Sequence, residues 1–129
     1  MKAMTAPRFD RLASAPGPLV RGFAGSCFLI DGAAYEAALL TPERAIAWHA
    51  PAPAALDIAD VEAALALDPA PEFLLLGTGA VQAFPPRAFV AALEARGIGV
   101  EAMDSRAAAR CWGLLRGEGR WIAAALMPI

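Results

Sequence analysis

Histidine and cysteine are scarce in this chain, and their scarcity excludes several kinds of site. The 129 residues include one histidine, His49, and two cysteines, Cys27 and Cys111, which lie far apart in the sequence. A structural zinc site needs three or four such ligands at short spacing, and a disulfide scaffold needs more cysteines. The sequence therefore predicts no metal site, and it contains no recognisable signature for a cofactor.

Long hydrophobic runs are lacking as well, although 58% of the residues are hydrophobic. The run Phe73–Leu76 stops at Gly77, and the run Trp121–Met127 stops at Pro128. A helix that spans a membrane needs roughly 20 apolar residues. The first residues, MKAMTAPRFDRLASAP, carry charges but none of the apolar stretch of a secretory signal. We therefore expect no membrane insertion and a cytoplasmic location.

The charged residues form no block of one sign. There are 11 basic and 13 acidic residues, which give a formal net charge of −2, and they are interspersed along the chain. Proteins that bind nucleic acid usually carry a basic patch or stripe that contacts the phosphates. The sequence therefore argues against a nucleic-acid partner.

The length of the chain and the prolines and glycine near its start predict one domain behind a short leader. A chain of 129 residues has the commonest size of a single domain. Residues 1–17 contain Pro7, Pro16 and Gly17, and Pro18 follows directly. We interpret residues 1–17 as a flexible leader and residues 18–129 as a single α/β domain.

The first half of this domain has the pattern of an antiparallel meander. Ser26 to Ile30 and Ala33 to Leu40 are apolar runs separated by Asp31-Gly32, a strong hairpin signal. Arg44 to Trp48 is expected to form a third strand. A proline-rich crossover follows, and Asp57 then opens the first helix as its N-cap.

The second half alternates between strands and helices. The predicted strands are Glu72 to Leu76, Ile98 to Met103 and Arg120 to Met127. The helix between the first two begins at Pro85-Pro86, and the helix before the last strand is capped by Asp104-Ser105. Such alternation is typical of a parallel sheet with helical crossovers.

The turn Gly77-Thr78-Gly79 is the most informative local pattern. It directly follows a buried strand, at the edge where open α/β sheets bind their ligands. It is not a dinucleotide fingerprint, because Gln82 takes the place of the third glycine and the helix begins too late. Two interpretations stay open: a tight turn that needs a positive φ, or a site for an anion or small molecule.

The pair Asp104-Ser105 is expected at the same edge of the sheet, because it follows the neighbouring strand. These residues are either an ordinary helix cap or part of a crevice in which the helix N-terminus favours a negative group. The candidate ligand-binding residues are therefore Gly77, Thr78, Gly79, Asp104 and Ser105.

Cys111 is the one nucleophile that merits attention, and its helical neighbours argue for a packing role. Ala107, Cys111, Leu114 and Leu115 share the spacing of one helical face, which we expect to point into the core. Gly113, in the middle of the same helix, predicts close packing of another backbone against it. We identify no catalytic residue.

The second half resembles a known family in three segments. These are Phe73-Leu-Leu-Leu-Gly-Thr-Gly79, then Ile98-Gly-Val-Glu-Ala-Met-Asp104, and finally Glu118-Gly-Arg120 with Ala123-Ala-Ala-Leu126. They resemble the small domain family of unknown function, with an Mth-like fold, that includes the mitochondrial complex I assembly factor 3 and the adipogenesis-associated Mth-domain protein. The first half fits in outline, with Gly25-Ser26 expected in a strand.

The resemblance implies an α/β fold of three layers, with a mostly parallel central sheet, helices and an added antiparallel meander. It implies no established enzyme activity. Where this family commonly has Thr-Tyr-Asn in the last helix, the chain has Cys111-Trp112-Gly113 and lacks those polar groups.

Two functions of different classes follow. The first is a non-enzymatic assembly or scaffolding factor that binds another protein, or a second copy of itself, through an exposed apolar face. The alternative is a protein that binds a small molecule or anion, or a weak enzyme, at the five candidate residues.

Overall fold

The computed structural model describes residues 17–129, so the predicted leader lies outside the described residues apart from Gly17. The strands are β1 (Val20–Ala24), β2 (Cys27–Ile30), β3 (Ala33–Tyr35), β4 (Ala38–Leu40), β5 (Ala45–Ala47), β6 (Phe73–Gly77), β7 (Gly99–Met103) and β8 (Ala123–Leu126). The α-helices are α1 (Glu62–Leu65), α2 (Arg87–Glu94) and α3 (Ser105–Gly117), and 3₁₀ turns occupy Pro53–Ala55 and Ile58–Val61.

The central sheet has five strands in the order β5-β4-β8-β6-β7. Strands β8, β6 and β7 are parallel, whereas β4 pairs antiparallel with both β8 and β5. A second sheet, in the order β1-β2-β3, is wholly antiparallel. The parallel strands are the three that the strand–helix alternation predicts.

Strand side chains point alternately to two faces of the central sheet, and each face has its own core. Leu74 and Leu76 pack with Phe89 and Leu93 of α2 and with the region of α1. Leu75, between them in sequence, packs on the opposite side with residues of α3 and of the β1-β2-β3 sheet. The helices α1 and α2 thus form one outer layer, and α3 with the small sheet forms the other, which confirms the predicted α/β fold class.

Local capping signals in the sequence are confirmed. The Asp57 carboxylate accepts a hydrogen bond from the Ala59 amide at 3.1 Å, and Asp60 completes a capping box. The Asp31-Gly32 turn has positive φ at both residues, 50° and 84°. These features form from nearby residues alone, which is why the sequence reveals them.

The predicted strand from Ala33 to Leu40 is wrong, because the chain changes sheets within it. Strand β3 belongs to the small sheet, and β4 pairs with β8 in the central sheet. The chain crosses between them at Glu36, which is exposed, and Ala37, which is buried. Gly25, expected in a strand, has φ of +60° and lies in the turn between β1 and β2.

The predicted inner face of α3 is wrong by one position. The buried residues of this helix include Ala108 and Trp112, and the Trp112 indole donates a hydrogen bond to the Pro18 carbonyl at 2.8 Å. Cys111 is half-buried at the edge of that core, whereas Leu114 is 70% exposed. An added Cβ at Gly113 would meet nothing within 4 Å, so no backbone packs closely there.

Candidate functional site

The strand–loop junction after β6 and the N-terminus of α3 meet as the sequence predicts. The Ser105 hydroxyl accepts a hydrogen bond from the Gly79 amide at 2.8 Å and donates one to the Met127 carbonyl at 2.7 Å. The Ser105 amide in turn donates to the Gly79 carbonyl at 2.8 Å. One fully buried serine therefore links the ends of β6, β8 and α3.

The close approach of α3 to the end of β6 requires glycine at both positions 77 and 79, for different reasons. A Cβ on Gly77 would lie 2.7 Å from the Ser105 Oγ and 2.8 Å from its Cα, which is too close for any side chain. Gly79 has φ of +108°, as the tight-turn interpretation expects, and its Cβ would approach the Pro128 carbonyl oxygen to 3.2 Å. The glycine pair thus allows the helix to begin directly against the strand.

Thr78 fixes the loop that follows. Its side-chain oxygen lies 2.8 Å from the Val81 carbonyl oxygen, to which it can donate, and it accepts a hydrogen bond from the Ala83 amide at 2.9 Å. The Thr78 amide donates to the Met103 carbonyl at 2.8 Å. Thr78 is only 5% exposed, so these bonds are shielded from water and attach the loop to the end of β6.

Asp104 serves as the predicted cap of α3. Its carboxylate accepts a hydrogen bond from the Ala107 amide at 2.9 Å, and its carbonyl accepts one from the Ala108 amide. The structure therefore brings all five candidate residues together. Gly79 and Ser105 bond to each other, and the remaining polar groups bond to neighbouring residues of the same strand ends, loop and helix. An anion at this point would have to displace Asp104 from Ala107, or the Ser105 hydroxyl from Gly79.

The loop held by Thr78 presents two large apolar side chains, which sequence reasoning missed. Val81 is 72% exposed and Phe84 is 85% exposed. They are three residues apart in a segment of irregular structure, where no periodicity assigns a face. A phenylalanine directly before Pro85-Pro86, outside any strand or helix pattern, was the signal available in the sequence.

A groove runs beside Phe84 along the outer surface of α2. Its volume is about 600 Å³, and Phe84, Pro85, Arg87, Val90, Ala91 and Glu94 line it. The helical residues among them are spaced i, i+3, i+4 and i+7, so they form one face. Phe89 and Leu93 occupy the opposite face and are buried in the core. We call Val81, together with the six residues that line the groove, the α2 surface.

Other kinds of site receive no support from residues 17–129. Within that range, no three histidine, cysteine, aspartate or glutamate side chains cluster closely enough to hold a metal ion. None of the helices in the described part of the chain has the length and apolar character needed to cross a membrane.

Comparisons with known proteins place the chain in a family. An uncharacterized protein of Rhodobacter capsulatus is 34% identical over 111 residues, which are 85% of this chain and 84% of that protein. The crystal structure of a Bordetella parapertussis protein has a TM-score of 0.80 and 33% identity, over 88% of this chain and 98% of the other.

A solution NMR structure from Bordetella pertussis, described as a Mth938-like domain, has a TM-score of 0.76 and 31% identity. It covers 99% of this chain and 92% of the other. The family described as a protein of unknown function (DUF498/DUF598) matches residues 20–127. The chain, which resembles an Mth-like family in three segments of its second half, therefore belongs to the DUF498/DUF598 family.

Proposed function

We propose that the protein is a non-enzymatic, cytoplasmic module that binds another protein chain through the α2 surface, as an assembly or scaffolding factor does. The observation that carries this proposal is the exposure of Val81 and Phe84 on a loop that is hydrogen-bonded to the buried Thr78 side chain. Large apolar groups on a fixed loop cost little ordering entropy when they bind, which favours a partner interface.

The resemblance to the family that includes complex I assembly factor 3 supports an assembly role of this kind. The polar groups of the five candidate residues support it in another way. They are engaged in holding strand ends, helix and loop together, so their interactions stabilise the element that carries Phe84. The proposed function thus assigns the buried residues to support and the exposed residues to binding.

A photo-crosslinking amino acid at position 84 is expected to capture a defined protein in cells. The matched control is the same amino acid at position 114, since Leu114 is 70% exposed but lies on α3, across the central sheet. In the purified complex, Phe84→Ser should weaken binding by about tenfold or more, because a buried aromatic anchor is lost. Equal capture at both positions, or none at position 84, would contradict the proposal.

The alternative proposal is an anion or small-molecule site at Gly77, Thr78, Gly79, Asp104 and Ser105. Its support is the convergence of two parallel strand ends and a helix N-terminus at one point. If it holds, millimolar phosphate or nucleotides should raise the midpoint of thermal unfolding by several degrees. The rise should be larger in Asp104→Asn, which removes the opposing charge. Unchanged midpoints in both proteins would reject this alternative.

A further inference from the structure

We infer that the partner on the α2 surface is a second copy of this chain, with the two α2 helices packed antiparallel about a twofold axis. This inference rests on the proposed function, because it uses the same surface and names its occupant. It is carried by the placement of two charges, Arg87 and Glu94, at the ends of the groove.

Both charges lie at the wrong end of their own helix. Arg87 is the first residue of α2 and Glu94 is the last, and the helix has no acidic residue in its first turn and no basic residue in its last. The helix dipole favours the opposite arrangement, with negative groups at the N-terminus and positive groups at the C-terminus. Within a single chain, this arrangement is locally unfavourable.

No intramolecular partner compensates for it in the described part of the chain. The ion pairs among residues 17–129 join Arg96 to Glu62 and Arg120 to Glu72, and neither includes Arg87 or Glu94. Arg96, two residues beyond Glu94, is bonded to Glu62, whose pKa that hydrogen bond lowers. Charges that oppose the dipole of their own helix and have no compensating partner are often found at functional surfaces.

An antiparallel copy of the same helix supplies what is missing. The midpoint between Arg87 and Glu94 falls between Val90 and Ala91, so a twofold axis there places each Arg87 opposite the partner's Glu94. The two charges are about 10.5 Å apart along the axis, seven residues at 1.5 Å each. Both ion pairs then form at once, and each helix end receives a charge that suits its dipole.

The apolar residues of the groove fit the same arrangement. About this axis, Val90 packs on the partner's Ala91, a large residue against a small one, which lets two helices approach closely. Phe84 and Pro85 form one wall of the groove, so a helix laid along α2 contacts the exposed phenylalanine ring. A surface with both a protruding ring and its own groove is self-complementary, as a twofold interface requires.

The interface is expected to be weak. One helix face with a neighbouring loop is smaller than the about 800 Å² that each partner buries in a stable complex. Exposed ion pairs also contribute little each. We therefore expect a dimer with a dissociation constant in the micromolar range, visible by sedimentation equilibrium as the concentration is raised.

Charge reversal tests this arrangement sharply. Arg87→Glu and Glu94→Arg should each raise the dissociation constant by about tenfold or more, because two attractive pairs become repulsive. An equimolar mixture of the two variants should restore association, since each then faces the opposite charge. Both substitutions suit the helix dipole and both positions are exposed, so neither should impair folding. Arg110→Glu, an exposed reversal on α3, is the matched control.

The possible results separate this inference from the proposed function. Restored association in the mixture, with the control unchanged, supports the antiparallel dimer. A wild-type chain that stays monomeric up to about 1 mM overturns the dimer. Capture of a different protein at position 84 would then leave the proposed function standing. A dimer that is insensitive to both reversals and to Phe84→Ser overturns the interface described here.

Discussion

Replacing Ser105 with alanine is expected to lower the free energy of unfolding by about 3 kcal/mol. The hydroxyl is fully buried and links the Gly79 amide to the Met127 carbonyl, at 2.8 and 2.7 Å. Without it, both backbone groups lose a hydrogen bond in a place that water does not reach, and each such loss costs roughly 1–3 kcal/mol. Chemical denaturation monitored by tryptophan fluorescence measures the change.

The matched control is Ser26→Ala, which removes a hydroxyl from an exposed turn. Ser26 is exposed, so we expect its free energy of unfolding to change by no more than about 0.5 kcal/mol. A Ser105→Ala protein as stable as the control would show that the hydroxyl does not hold the strand ends together. The assignment of the five residues to a supporting role would then fail.

Replacing Gly77 with alanine is the second large effect, expected at about 3 kcal/mol of destabilisation. The new Cβ would lie 2.8 Å from the Ser105 Cα, so the helix would have to move away from the strand. Because the close atom belongs to the backbone, a change of rotamer cannot relieve the contact. Thermal unfolding followed by circular dichroism should show a midpoint lower by about ten degrees or more.

Gly99→Ala separates this clash from the general effect of alanine in a strand. Gly99 lies on the neighbouring strand β7, and its added Cβ would meet the Phe73 Cβ at 3.4 Å, an ordinary contact. We therefore expect Gly99→Ala to be neutral or slightly stabilising. A double variant that combines Gly77→Ala with Ser105→Ala should not recover stability, because the Ser105 Cα still lies 2.8 Å from the new Cβ. Equal stability of the two glycine variants would contradict the close approach.

The buried residues at the strand ends and the proposed binding surface differ in chemistry and in the expected effect of substitution. Ser105, Gly77 and Thr78 are buried, and changing them should alter stability first and binding only as a consequence. Phe84, Arg87 and Glu94 are exposed, and changing them should alter association while leaving the unfolding transition in place. Measuring both quantities on each variant therefore identifies which group a residue belongs to.

The sequence by itself determined the elements that depend on neighbouring residues. Asp57 and Asp104 are caps because a short acidic side chain before a helix can reach its first amides. The positive φ of Gly79 agrees with the tight turn, which was one of the two interpretations that the sequence left open. The three parallel strands are evident because each is a short apolar run between turn signals and helices.

Only the tertiary structure decided where elements separated in sequence meet. The break between β3 and β4 has no local signal, since an alanine-rich run suits either sheet and pairing with β8 selects its second half. The inner face of α3 lies one residue away from the predicted face: Trp112 is buried and bonds to the Pro18 carbonyl, whereas Leu114 is 70% exposed. Alanine contributes little burial, so the pattern alone could not orient this helix.

For the candidate site, the sequence likewise predicted which residues lie near one another but not which hydrogen bonds they form. Chain order predicted that Gly77, Thr78, Gly79, Asp104 and Ser105 would share an edge of the sheet. Gly79 and Ser105, which bond to each other, are 26 residues apart in sequence. Only the folded structure brings them within hydrogen-bond distance. The position of Phe84 before Pro85-Pro86, outside any strand or helix pattern, was visible in the sequence, but its 85% exposure was decided by the fold.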